Sequence, residues 1–98
     1  AIGYTDSKFA VRGMTKAAAL ELANYGIRVN SVHPGIIATP MIMQDDTKDA
    51  VEQFAKTIPL KRVAQPEEIS GLILFLASDD SSYSTGSEFI ADGGITAQ

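Results

Sequence analysis

Tyr4 and Lys8 are the residues whose types and spacing most directly suggest chemistry. Four residues apart on a helix, two side chains share a face one turn from each other. A phenol ordinarily has a pKa of about 10 and is a poor acid or base at neutral pH. An ammonium beside it favours the phenolate. Unit charges about 4 Å apart attract by about 4 kcal/mol at an effective dielectric of about 20, roughly three pKa units before desolvation takes its share. Such a phenol can exchange a proton with a carbonyl or hydroxyl oxygen near neutral pH. A bare Y-x-x-x-K is weak on its own, since a tyrosine and a lysine often share a helix surface by chance. Other candidates carry less. His33 is the single histidine; at a strand end, with no serine or cysteine nucleophile placed by a motif, it reads as structural. Asp45, Asp46 and Asp49 read as a solvated turn with helix capping, so no metal site is expected. The chain has no cysteine, which excludes a disulfide or cysteine–zinc framework.

The elements that must position these residues come in a clear order. Residues 5–24 form one long predicted helix, free of proline and interrupted only by Gly13. Gly26 suits the left-handed position after its end. Ile27–Val32 is rich in β-branched residues and predicts a short strand stopped by Pro34–Gly35. Residues 36–61 read as an excursion from the main layers. Within it Val51, Phe54, Ala55 and Ile58 repeat at helical spacing, predicting a short helix over 48–57 ended by Pro59. Pro66–Ala77 predicts a second long helix, with Pro66 at its first position and Glu67 and Glu68 in its first turn. Ile69, Leu72, Ile73 and Leu76 form its apolar stripe. Leu74 and Phe75 add apolar surface outside that stripe, so burial on more than one side is expected. Ser78–Ser82 is a polar turn, Ser87–Ala91 a short strand and Asp92–Gly94 a tight turn. Strand, helix and strand in this order predict a right-handed crossover and a parallel sheet. Two strands alone leave open edges.

Several short motifs now fall into line. Tyr4–Thr5–Asp6–Ser7–Lys8 resembles the Y-x-x-S-K active-site motif of the short-chain dehydrogenase/reductase family. Arg28–Gly35 followed by Thr39 resembles its R-V-N-x-V-x-P-G-x-x-x-T segment. Pro66–Ile69, Thr85–Gly86 and Ala91–Gly94 resemble its P-E-E-I, T-G and V-D-G-G signatures, with Ala91 in place of valine. The resemblance covers essentially the whole chain, and its nearest flavour is the bacterial hydroxysteroid and alicyclic alcohol dehydrogenases. It implies an α/β fold, the C-terminal portion of a Rossmann-type doubly wound parallel sheet with the N-terminal nucleotide-binding half absent. The implied activity is hydride transfer between NAD or NADP and a carbonyl or secondary alcohol. Tyr4 would be the acid/base and Lys8 its activator, also bonding the nicotinamide ribose. Pro34 and Gly35 would wall the nicotinamide. The Ile37 backbone would bond its carboxamide, and Thr39 would bond there or the phosphates. Ser7 belongs to the motif but is not the catalytic serine. Residues 36–61 match the substrate loop, where Met41, Ile42 and Met43 favour a small apolar substrate. Phe54 and Ile58 are as well explained by packing on the core.

What the chain lacks matters equally. It contains no G-x-G, so the glycine-rich turn that cradles a pyrophosphate is missing. Neither the residue that would choose NAD over NADP nor the family's catalytic serine is in this stretch. The 98 residues therefore read as a partial domain carrying half an active site, expected to be inactive by itself and marginally folded. A non-catalytic remnant acting as an interaction module is the alternative. Ala17–Ala19 suit close packing, within the monomer or across an interface, and the resemblance implies a homo-oligomer, dimer or tetramer, for the complete enzyme. A net charge of −4 argues against a nucleic-acid partner. Leu72–Ala77, the longest apolar run, is too short for a bilayer. No basic stretch precedes an apolar one at the start, and a cytoplasmic location is expected.

Overall fold

The computed structural model describes residues 2–40 and 43–98, with side chains described from Lys8 onward. The order is helix α1 (Ile2–Leu22), strand β1 (Ser31–Pro34), helix α2 (Asp45–Ala55), helix α3 (Pro66–Ala77) and strand β2 (Glu88–Ala91), with short 3-10 turns after α1, after α3 and at the end. β1 and β2 are neighbours in a sheet. The Ser31 N–H donates to the Ser87 carbonyl and the Gly35 N–H to the Ala91 carbonyl, both at 3.0 Å. Both partners advance together along the chain, so the strands are parallel, as expected. The chain divides into two compact units, Ala1–Val32 with Phe75–Phe89, and His33–Leu74 with Ile90–Gln98.

In the first unit, α1 ends in a 3-10 turn and Gly26 takes a φ of 73°. The strand expected at 27–32 is displaced: the ladder occupies Ser31–Pro34. The residues before it are held by one backbone bond, from the Gly86 N–H to the Val29 carbonyl at 2.7 Å, and otherwise by side chains. The Val29 N–H donates to the Thr85 hydroxyl at 3.1 Å. The Asn30 amide donates to the Ser84 carbonyl at 3.0 Å and accepts from the Ser87 N–H at 3.1 Å. Pro34, expected to stop the strand, is its last residue. Donors alternate along a parallel strand, so Ser31 and Gly35 face β2 while Pro34 directs its missing donor to the other edge.

Arg28 reaches the C-terminal end of α3. Its guanidinium donates to the Leu76 and Ser78 carbonyls at 3.1 and 3.2 Å and to the Ser81 hydroxyl and Ser84 carbonyl at 2.9 and 3.3 Å. The last turn of α3 has no basic residue of its own. Arg28 supplies both the missing donors and a positive charge at the negative end of the helix dipole. Arg12 and Glu88 form an ion pair. Ala19 is buried, and Gly86, at φ 71°, lies where a Cβ would stand 3.4 Å from the Ala19 methyl. Of the alanine run, Ala19 thus serves packing within the chain, while Ala17 is exposed.

In the second unit, α2 starts earlier than expected. Asp45 and Asp46 occupy its first turn, where carboxylates oppose the positive end of the dipole. The capping role expected of this acidic group is not realised at the cap itself, which is Gln44 and makes no side-chain bond. α3 begins at Pro66, and Glu68 accepts from the Gln65 N–H at 2.9 Å, half of a capping box. Ile58 and Ile69 are the buried apolar side chains of this unit among the described residues. The expected burial of α3 on more than one side is corrected: Ile73, Leu74 and Phe75 are all exposed. An apolar pattern marks surface that gains from burial without naming what covers it.

Candidate functional site

Tyr4 and Lys8 both lie in α1, whose helical backbone runs unbroken through them. Their i, i+4 relation therefore holds at the level of the backbone. Lys8 is half-buried. The Tyr4 side chain lies outside the described residues, as do Met41 and Ile42. Met43 is exposed, and its N–H donates to the Thr39 carbonyl at 3.1 Å. This pair belongs to the first unit and the remaining candidates to the second.

The second unit gathers Pro34, Gly35, Ile37 and Thr39 in one stretch leaving β1. Gly35 is where a side chain does not fit: a Cβ there would lie 2.9 Å from the Asp92 Cα. The exits of β1 and β2 are thus packed backbone to backbone, and glycine is the residue that permits it. Two residues on, Ile37 forms an isolated parallel bridge with Ala64. The Ala64 N–H donates to the Ile36 carbonyl at 2.9 Å, and the Ala38 N–H donates to the Ala64 carbonyl at 2.7 Å. In this pairing the flanking residues bond the partner, and the central residue turns its own N–H and C=O the other way. Ile37 therefore presents a donor and an acceptor on the side opposite Ala64, and neither has a partner among the described residues. Ala64 is a residue the motif reading missed, because its pairing is long-range.

Two acidic groups shape the surroundings. Arg62 donates to both Glu68 oxygens, at 2.7 and 2.9 Å. That fork, with the Gln65 N–H, holds the Glu68 carboxyl down at about 2. For Asp92, desolvation pushes upward, yet bonds from the Thr96 hydroxyl and the 94–96 backbone outweigh it and hold the carboxyl below its ordinary value. A cleft of about 240 Å³ lies among Gly35, Ile36, Ile58, Ile69 and Asp92. His33 sits half-buried in β1. The acidic residues of α2 form no metal-binding group among the described residues. Among those residues, too, no helix is long and apolar enough to cross a membrane.

A family model described as "Enoyl-(Acyl carrier protein) reductase" matches residues 2–96. The chain belongs to the short-chain dehydrogenase/reductase family. It is 55% identical over 95 residues to a 3-alpha-(or 20-beta)-hydroxysteroid dehydrogenase of Mycobacterium tuberculosis, covering 97% of this chain and 34% of that protein. It is 48% identical over 96 residues to a cyclohexanol dehydrogenase of Acinetobacter, covering 98% and 37%. A crystal structure of a short chain dehydrogenase family protein from Francisella tularensis superposes with a TM-score of 0.86 at 45% identity, covering 97% of this chain and 43% of that one. The chain thus spans roughly a third of the length of these curated relatives, and its fold is that of the family's Rossmann-type α/β proteins.

Dehydrogenases of this family use NAD or NADP. The residues present fit part of such a cofactor. A carboxamide offers both a donor and an acceptor, and the outward peptide of Ile37 matches that pair. They do not account for a pyrophosphate, because the sequence holds no G-x-G.

Proposed function

We propose that this sequence supplies the acid/base and the nicotinamide-side wall of an NAD(P)-dependent dehydrogenase acting on small alicyclic or other apolar secondary alcohols and ketones. What carries this reading is identity of 48–55% over nearly the whole chain to dehydrogenases named for hydroxysteroids, cyclohexanol and cyclopentanol. The outward Ile37 peptide supports it. When bound, the cofactor supplies or accepts the hydride. Tyr4 gives a proton to the carbonyl oxygen in reduction and takes it back in oxidation. The Lys8 ammonium favours the phenolate and holds the ribose hydroxyls. Pro34 and Gly35 limit one side of the ring, the Ile37 N–H and C=O orient the carboxamide, and the Thr39 hydroxyl adds a bond there or to a phosphate. Fixing the carboxamide fixes the face the ring presents, which is a positioning effect. Met41, Ile42 and Met43 provide apolar surface for the substrate. The enzyme works as a homo-oligomer in the cytoplasm.

The test is to produce the longest native polypeptide carrying these residues. It is then assayed on alicyclic and steroid ketones and alcohols with each nicotinamide cofactor. Turnover of at least one apolar pair supports the proposal, and no turnover of any pair with either cofactor overturns it. A second reading, a non-catalytic interaction module, is favoured by the exposed Phe9, Met14 and Leu20 of α1. Binding of the chain to a full-length relative, without cofactor binding or turnover, would establish that reading instead.

A further inference from the structure

The turn after β2 does more than reverse the chain. The Asp92 carboxylate accepts from the Gly94 N–H at 2.9 Å with one oxygen, and from the Thr96 N–H and hydroxyl at 3.1 and 2.8 Å with the other. These bonds close residues 92–96 into a turn in which Gly93 and Gly94 adopt φ of 69° and 100°. Residues 58–60, where the 36–61 excursion returns, lie directly against it. The Leu60 N–H donates to the Gly93 carbonyl at 3.0 Å. A Cβ on Gly93 would stand 2.7 Å from the Ile58 Cγ2, and one on Gly94 would stand 2.9 Å from the Pro59 Cβ. Ile58 is the largest fully buried side chain among the described residues. The other end of the excursion leaves from Gly35, which rests on the Asp92 backbone and not on its carboxylate.

We propose that Asp92 is a positioning residue: its carboxylate braces the turn on which the returning end of the substrate loop is seated, and so sets substrate affinity without touching substrate or cofactor. The inference rests on the reading of residues 36–61 as the substrate loop. It distinguishes the two ends of that loop. Removing the carboxylate loosens the seat of Ile58–Leu60, while the backbone approach that fixes Gly35 stays. Ketone KM is therefore the sensitive quantity, and kcat per active site and cofactor affinity are not.

The test compares wild type, Asp92→Ala, Asp92→Asn and Thr96→Val in the longest native polypeptide. Its readouts are amide hydrogen exchange at Leu60, steady-state kinetics with cyclohexanone, and reduced-cofactor binding. In Asp92→Ala, Leu60 should exchange about tenfold faster and KM should rise about tenfold, since charged hydrogen bonds holding a local structure closed are lost. kcat per titrated site and cofactor Kd should stay within about threefold on the same argument. Asp92→Asn, which keeps one acceptor oxygen, should fall between. Thr96→Val, an exposed change that keeps the backbone donor, should shift both quantities less in the same direction and guards against an alanine variant that does not fold. Unchanged Leu60 exchange overturns the proposal. So does activity that falls only with the folded fraction at constant KM. If the wild type reduces no ketone, the dehydrogenase reading fails separately; Leu60 exchange then still decides whether Asp92 seats the loop.

Discussion

Replacing Gly35 by alanine tests the close approach of the two strand exits. The new Cβ would lie 2.9 Å from the Asp92 Cα, 3.1 Å from its Cβ and 3.4 Å from its carbonyl carbon. Carbon atoms rest about 3.5–4.0 Å apart, so the shortfall at the Cα is roughly 0.6–1.1 Å. The obstacle is backbone, tied by the Gly35 N–H to Ala91 carbonyl bond, and cannot swing aside like a side-chain tip. Forced overpacking of this kind costs about 1–3 kcal/mol. Gly13→Ala is the matched control: in the interior of α1, with nothing within 4 Å of its Cβ position, it should stabilise by about 0.4–1 kcal/mol. Urea unfolding of the longest native polypeptide measures both, as opposite shifts in midpoint at an unchanged slope. On the proposed role of Gly35 beside the nicotinamide, its displacement should also lower kcat/KM by roughly 10–100-fold, given the cost of a misplacement near 1 Å. A Gly35→Ala variant as stable as wild type would refute the backbone-to-backbone packing. A destabilised Gly13→Ala variant would refute the open helical site.

Tyr4→Phe should cost about 10²–10⁴ in kcat while leaving cofactor Kd nearly unchanged, because it removes proton transfer and little binding; wild-type turnover would sink the acid/base assignment. Arg28→Ala should destabilise by about 2–4 kcal/mol in denaturant unfolding, since it strips the last carbonyls of α3 of a charged donor, and Arg28→Lys should recover only part, lacking the fork. The acid side of the stability curve should report Glu68. Its carboxyl is held at about 2, below the unfolded value, so its contribution is complete above about pH 4.3 and is lost as pH falls toward 2. Glu68→Gln should flatten that part of the curve and leave neutral-to-alkaline slopes alone.

Much of the fold was legible because its signals are local. Pro66, Glu67 and Glu68 mark the start of α3 through backbone valence and dipole, and the helix begins there. Gly26 marks the end of the first helical segment through its tolerance of positive φ. Tyr4 and Lys8 sit one turn apart because helical spacing alone decides it. The strand near residue 30 lies later than its β-branched pattern predicts, for a non-local reason. β-branched residues suit any extended backbone, but ladder pairing begins only where β2 arrives, and Val29 and Asn30 meet hydroxyl, amide and backbone groups of residues 84–87 first.

The amino-acid order by itself determined the helices, the parallel sense of the sheet and the family motifs, all of which follow from residue type and short spacing. Only the tertiary structure decided which donors remain for a ligand and what holds the loop. Ile37 turns its peptide outward because Ala64 occupies its other side. Gly35 is required because Asp92 lies behind it, and the glycines at 93 and 94 because Ile58 and Pro59 lie against them. Each of these is a meeting of residues distant in the chain. Sequence periodicity describes the faces an element offers; which faces meet depends on how the folded chain brings them together.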